Sequence, residues 1–157
     1  MREILFRGQT RRKGEKVRMD GSPVESNWVY GGVLQGIGDH SIIYQTEPGI
    51  DKKVVYTDTL GQFTGLTDKN GVKIFEGDIL QGDEYPYCSD GEYNYYAEVV
   101  WFDDGCCGFG LCTLKNPKSA VRGISDDNCE WFEDFDSDNW SVVGNIYDNP
   151  ELIGGAE

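Results

Sequence analysis

Among 157 residues there is one histidine, there are two methionines and five prolines, and Lys and Arg together number only 14. Set against 28 Asp and Glu, the cations leave a net charge of −14 with the histidine neutral. Phosphate contacts require clustered cations, so this balance argues against a generic binder of nucleic acid or of an anionic membrane. Long apolar runs are also missing. The start, Met1-Arg2-Glu3-Ile4-Leu5-Phe6-Arg7, lacks the stretch of about 7–15 apolar residues of a signal peptide, and nothing downstream approaches the roughly 20 of a membrane span. A cytoplasmic location is therefore expected. No segment holds an apolar 3.6-residue period for three helical turns, which favours strands over a helical bundle.

What is present suffices for a core, with 38% hydrophobic and 13% aromatic residues, unlike a disordered acidic segment. The 21 glycines imply many tight turns, and short β-branched or apolar runs recur between them, so a mainly β fold is predicted. Candidate strands are Ile4–Arg7, Trp28–Leu34, Ser41–Gln45, Lys53–Thr57, Lys73–Phe75, Asp78–Gln81, Ala97–Phe102, Gly108–Leu114 and Ser141–Ile146. Asn70-Gly71 lies between Thr64-Gly65-Leu66 and Lys73-Ile74-Phe75, and Asn-Gly supplies the positive φ angles of a tight hairpin. Asn149-Pro150-Glu151-Leu152 suits a short helical turn, since proline is well placed at a first helical position. Charge is segregated: residues 1–20 hold seven Lys or Arg against three acids, whereas ten acids and no cation lie between Asp126 and Glu157. A basic start folding against an acidic end accounts for this without a phosphate-binding arm.

The constellations that might carry chemistry each fall short. Five cysteines, Cys88, Cys106, Cys107, Cys112 and Cys129, are an odd number with two adjacent, which suits reduced thiols better than a disulfide framework. Adjacent cysteines on a strand point to opposite faces, whereas structural zinc takes spaced pairs from turns. A thiol nucleophile would have only His40 as base, far away in sequence. Asp134, Asp136 and Asp138 match the first alternating ligands of a calcium loop, but Asn139 stands at the glycine position and Asn145 at the bidentate glutamate position. None of Gly105, Gly108 and Gly110 is directly followed by Lys-Ser or Lys-Thr, so a phosphate loop is not indicated. No catalytic residue, cofactor site or metal site is assigned. Tyr85, Tyr87, Tyr93, Tyr95 and Tyr96 cluster in a stretch without a single cation, a composition that suits a protein-contact patch and ordinary barrel packing equally.

Several stretches together resemble the YopX family of phage and prophage proteins. They are Met1 to Arg7, Trp28-Val29-Tyr30-Gly31, the run from Gly61-Gln62-Phe63-Thr64-Gly65-Leu66 through Thr67-Asp68-Lys69-Asn70-Gly71 to Glu76-Gly77-Asp78-Ile79-Leu80, then Ala97-Glu98-Val99-Val100-Trp101, and finally Val143-Gly144-Asn145-Ile146-Tyr147-Asp148-Asn149-Pro150-Glu151-Leu152. The resemblance implies a mainly β protein carried on mobile genetic elements, with an SH3-like barrel in its C-terminal part and an N-terminal β extension. On that basis residues 1–75 form an N-terminal β region with hairpins and 76–157 the barrel with acidic insertions, one compact unit being the alternative. It brings no established activity and no catalytic residues. Departures from the family pattern concentrate in longer acidic loops at 82–94 and 115–138.

The residues of the central run read as folding chemistry: Gly77 relieves a turn, Asp78 accepts backbone N–H bonds, and Ile79 or Leu80 enters the core. Val99 and Trp101 are expected on one face of their strand, Glu98 and Val100 on the other. The functional expectation is a non-enzymatic accessory protein that binds a protein partner through Tyr85, Tyr87, Tyr93 and Tyr95, the surrounding acids favouring a cationic host or phage protein. It requires no cofactor and no direct contact with nucleic acid or membrane, and it permits a homo-oligomer. The alternative is an acidic nucleic-acid mimic that occupies a DNA-binding protein; a metal-dependent hydrolase ranks below both.

Overall fold

The computed structural model describes residues 3–12, 27–34, 36, 38–45, 49–82, 96–102, 108–113, 129–131 and 137–153. They form two antiparallel sheets, and no α-helix occurs among the described residues. The chain divides into two compact units, Met1–Phe63 and Thr64–Glu157.

The first unit contains β1 (Phe6–Arg11), β2 (Asn27–Leu34), β3 (His40–Gln45) and β4 (Asp51–Tyr56), side by side in the order β4-β3-β2-β1. Alternation decides what each strand buries. Ser41 and Ile43 on β3 and Val55 on β4 face inward and are fully buried, while His40, Ile42 and Tyr44 alternate to the other side. Gly8 on β1 lies so close to Val55 that a Cβ there would meet Val55 Cγ2 at 2.8 Å, so the absence of a side chain lets the outer strands of this sheet approach. A 3₁₀ turn, Thr57–Thr59, follows β4. Its buried Thr59 hydroxyl accepts from Gln9 N at 2.9 Å and donates to Tyr56 O at 2.7 Å, which satisfies the polar groups buried there.

β5 (Gly61–Thr67) pairs with β1 through Gly61 and Gln62 and continues, past Phe63, beside β6 (Lys73–Phe75). The hairpin between β5 and β6 differs from the expectation that both Asn70 and Gly71 take positive φ. Only Gly71 does, at 79°, and no described non-glycine residue has a positive φ. Gly71 N donates to Asp68 O at 3.0 Å and Asp68 N to Val72 O at 2.8 Å, the pattern of a type I turn closed by a left-handed glycine. Asp68 stabilises this longer loop by accepting at Oδ1 from Asn70 N and Val72 N, at 2.8 and 2.9 Å.

In the second unit β7 (Asp78–Gly82), β8 (Tyr96–Phe102), β9 (Gly108–Thr113), β10 (Cys129–Trp131) and β11 (Trp140–Asn145) form a sheet ordered β10-β9-β8-β7-β11. Ile74, Leu80, Ala97, Val99, Leu111 and Trp140 make its core, with Leu66 and Val142 against them. Fully burying a side chain of the size of leucine or valine is worth about 1.5–3 kcal/mol. Ile79 and Leu80 are both sealed from solvent, so β7, between β8 and β11, is covered on both faces. Trp101 departs from the expected pattern: it shares parity with buried Val99 yet is 44% exposed, packing edge-on against Phe109 with ring centroids 4.9 Å apart.

Gly77 and Asp78 act as expected. Gly77 has φ 88° and its N–H reaches Val99 O at 2.9 Å, and Asp78 Oδ2 accepts from Phe75 N at 2.8 Å. A 3₁₀ turn at Pro150–Ile153 occupies the expected helical turn.

Candidate functional site

Tyr85, Tyr87, Tyr93 and Tyr95 lie outside the described residues, but the strands that hold the ends of their segment do not. β7 ends at Gly82 and β8 begins at Tyr96, with Gln81 directly opposite Tyr96 and Leu80 opposite Ala97. Both strands are anchored by buried Leu80, Ala97 and Val99, so residues 83–95 leave and re-enter the sheet at adjacent points of a packed scaffold. Charge divides between the units in the same sense. The first carries nine Lys or Arg against eight Asp or Glu, net +1, whereas the second carries five against twenty, net −15.

Within that acidic unit, Glu98 is held on β8 between Ile79 and Cys112. Burial raises its carboxyl pKa above the usual carboxylate value, and the neighbouring Glu76 raises it further. Asn145, at the expected last calcium position, is committed to its own turn: Oδ1 accepts from Tyr147 N and Asp148 N at 3.0 and 2.9 Å, and Nδ2 donates to Asp148 Oδ2 at 3.1 Å. Asp134 and Asp136 are outside the described residues, and among those described no group of three His, Cys, Asp or Glu is placed to hold a metal.

The expectation of five reduced thiols is overturned at Cys112, which is disulfide-bonded. Its Cα partner across the β9–β10 ladder is Cys129. The disulfide at Cys112 is a feature that sequence spacing alone does not reveal. The thiol at 112 is thereby unavailable as a nucleophile. His40 is likewise separated from its neighbour Ser41: the Ser41 hydroxyl lies on the buried side, 2.8 Å from Thr57 Oγ1, while the imidazole packs on the Tyr56 ring with centroids 5.0 Å apart.

The first unit presents a second surface that the sequence reading did not single out. Leu34, Ile42 and Val54 form one row across β2, β3 and β4, and Gly32, Tyr44 and Lys52 form the next. Tyr44 lies across Gly32, whose Cβ would collide with the phenol. Val54 is 58% exposed, Leu34 51% and Tyr30 41%, so a contiguous apolar and aromatic face meets solvent. At one end of it opens a cleft of about 490 Å³ lined by Arg12, Gly38, Asp39, His40, Tyr56, Thr57 and Asp58. The Arg12 guanidinium spans both oxygens of Asp58 at 2.8 and 2.9 Å and lies 4.3 Å from the Tyr56 ring centroid. Both oxygens are reached from Nη2 alone, so the arrangement is a cation–π contact beside a charge-assisted ion pair.

No helix among the described residues is long and apolar enough to cross a membrane. No curated protein matches the chain. It is similar to a solved structure, the crystal structure of protein EF1440 from Enterococcus faecalis, at 22% identity over 98% of this chain and 99% of the other, with a TM-score of 0.46. The YopX protein family model matches residues 17–154, most of the sequence, and the chain therefore belongs to the YopX family.

Proposed function

We propose that this YopX-family chain is a phage or prophage accessory protein that acts by binding another protein and not by catalysis. The division of charge, +1 in one unit and −15 in the other, is the observation that carries the reading. A surface so one-sided steers a cationic partner toward the second unit. Tyr85, Tyr87, Tyr93 and Tyr95 are the proposed contacts, since tyrosine offers large, rigid area at low entropic cost. We read the five short antiparallel strands of this unit as an SH3-like barrel whose acidic insertions vary without disturbing its core, consistent with loops that carry binding on a fixed scaffold.

The test is capture of a partner from host lysate by the full chain, in parallel with a variant carrying serine at all four tyrosines. A basic protein retained at low salt, released near about 0.5 M salt as screening shortens the electrostatic range, and lost by the folded variant is expected. Equal capture by the folded variant overturns the assignment of these tyrosines. A captured DNA-binding protein that releases its DNA on binding identifies the acidic unit as a nucleic-acid mimic instead.

A further inference from the structure

We propose that the outward face of β2, β3 and β4 in the first unit is a self-complementary interface through which two copies of the chain associate about a two-fold axis. The face has an apolar middle and ends of opposite charge. Leu34, Ile42 and Val54 sit at one level across the three strands. Two residues along β4 in one direction stands exposed Lys52, paired with Tyr44. Two residues in the other stands Tyr56, paired with His40, and beyond it exposed Asp39, with Asp58 already ion-paired to Arg12, so that end carries two carboxylates against one guanidinium. Each step of two residues is about 6.6 Å along the strand.

The charges select the axis. If it ran along the strands, Lys52 would meet Lys52 of the other copy. Lying across the strands in the plane of contact, at the level of Ile42 and Val54, it sets Lys52 of each copy against the Asp39 end of the other and stacks the apolar rows at the centre. A two-fold contact of this kind uses one patch twice. The wider charge distribution agrees, because the contact engages the unit of net charge +1 and not the one of −15. A face of three strands, roughly 20 Å by 14 Å, is small beside stable interfaces, so association in the range of tens of micromolar is expected. The acidic segment at 83–95 takes no part, and the proposal stands independently of the partner proposed for it.

Sedimentation of the full chain from about 5 to 500 µM tests it. The mass should rise from 17.6 kDa toward twice that value, and Leu34→Glu with Val54→Glu, both at exposed positions, should hold it at the monomer with an unchanged thermal melt. Lys52→Asp alone and Asp39→Lys alone should each weaken association roughly tenfold, and the two together should restore it because both cross-pairs reverse sign. Serine at the four tyrosines should leave it unchanged. A parent that stays monomeric to 500 µM overturns the proposal and leaves this face to a different protein. So does a dimer indifferent to Leu34 and Val54, or a double charge swap no tighter than the single ones.

Discussion

Replacing Asp68 by asparagine removes one atom's worth of charge and changes almost no volume, yet it should destabilise the second unit by about 1–3 kcal/mol. The carboxylate is 4% exposed and both of its oxygens are in use. Oδ1 accepts from Asn70 N and Val72 N within the hairpin turn, and Oδ2 accepts from Val142 N on β11 at 2.9 Å, 74 residues away in sequence. An asparagine offers a single acceptor oxygen. Turned one way its NH₂ confronts Val142 N–H; turned the other it confronts two turn amides. In either orientation at least one partly buried donor loses its partner and faces another donor, and a charge-assisted bond is lost. Asp68→Ala removes all three acceptor contacts and should cost about 3–5 kcal/mol, less than three separate penalties because water reaches the exposed Asn70. With a urea slope near 2 kcal/mol per molar, the asparagine variant should unfold at a midpoint lower by about 1 M with the slope unchanged. Amide exchange at Val142 should accelerate in the same variant. An Asp68→Asn protein as stable as the parent, with Val142 equally protected, would refute the claim that this side chain ties the hairpin to β11.

Two further outcomes follow from the second unit. Because the folded-state pKa of Glu98 is raised above the reference of 4.5, its ionised form is disfavoured in the fold, so its contribution to stability declines as pH rises from about 4.5 through the raised value. Glu98→Gln should therefore exceed the parent in urea midpoint at pH 7 and converge with it near pH 4; a difference independent of pH would contradict the burial argument. For Cys112, a reductant should lower the melting temperature of the parent and leave Cys112→Ser unmoved, the loss corresponding to about 2–4 kcal/mol. A parent indifferent to reductant would show that the disulfide contributes nothing to stability.

What the sequence revealed and concealed follows the range of the interactions involved. β6 lies at Lys73–Phe75 as read from its pattern, because a β-branched residue beside an aromatic after a turn glycine is a local signal. β5 was recognisable only as one arm of a hairpin, since Gly61, Gly65 and three polar residues dilute its alternation. β10 has three residues, Cys129 to Trp131, in an acidic stretch, too few for any period to register. The turn at Asn70-Gly71 was visible, but its type depends on Asp68 reaching forward to Asn70 N and Val72 N, which dipeptide preference does not encode. The Cys112 disulfide and the outward face of the first unit both arise from which strands become neighbours, and that is decided by the whole chain.

The run that carries the family pattern is consumed by these structural tasks. Thr64 donates to Ile74 O at 2.9 Å, Asp68 holds three amides, Gly77 bridges to Val99 O and receives Ile146 N at 3.0 Å, and Asp78 caps the turn at Phe75. Thr64, Asp68 and Asp78 are buried with their polar atoms engaged. A residue whose donor or acceptor capacity is spent inside the fold has little left for a ligand, and replacing it unfolds the protein before it alters recognition. Such positions therefore specify the fold of this chain and say nothing of a partner. Among the described residues, the exposed Leu34 and Val54, with Ile42 between them, stand outside this run and are not spent on its hydrogen bonds. Substitution of Leu34 or Val54 should therefore cost this chain little stability, since changes away from buried contacts usually shift it by less than about 0.5 kcal/mol, and a larger loss in urea unfolding would show that the face is part of the core.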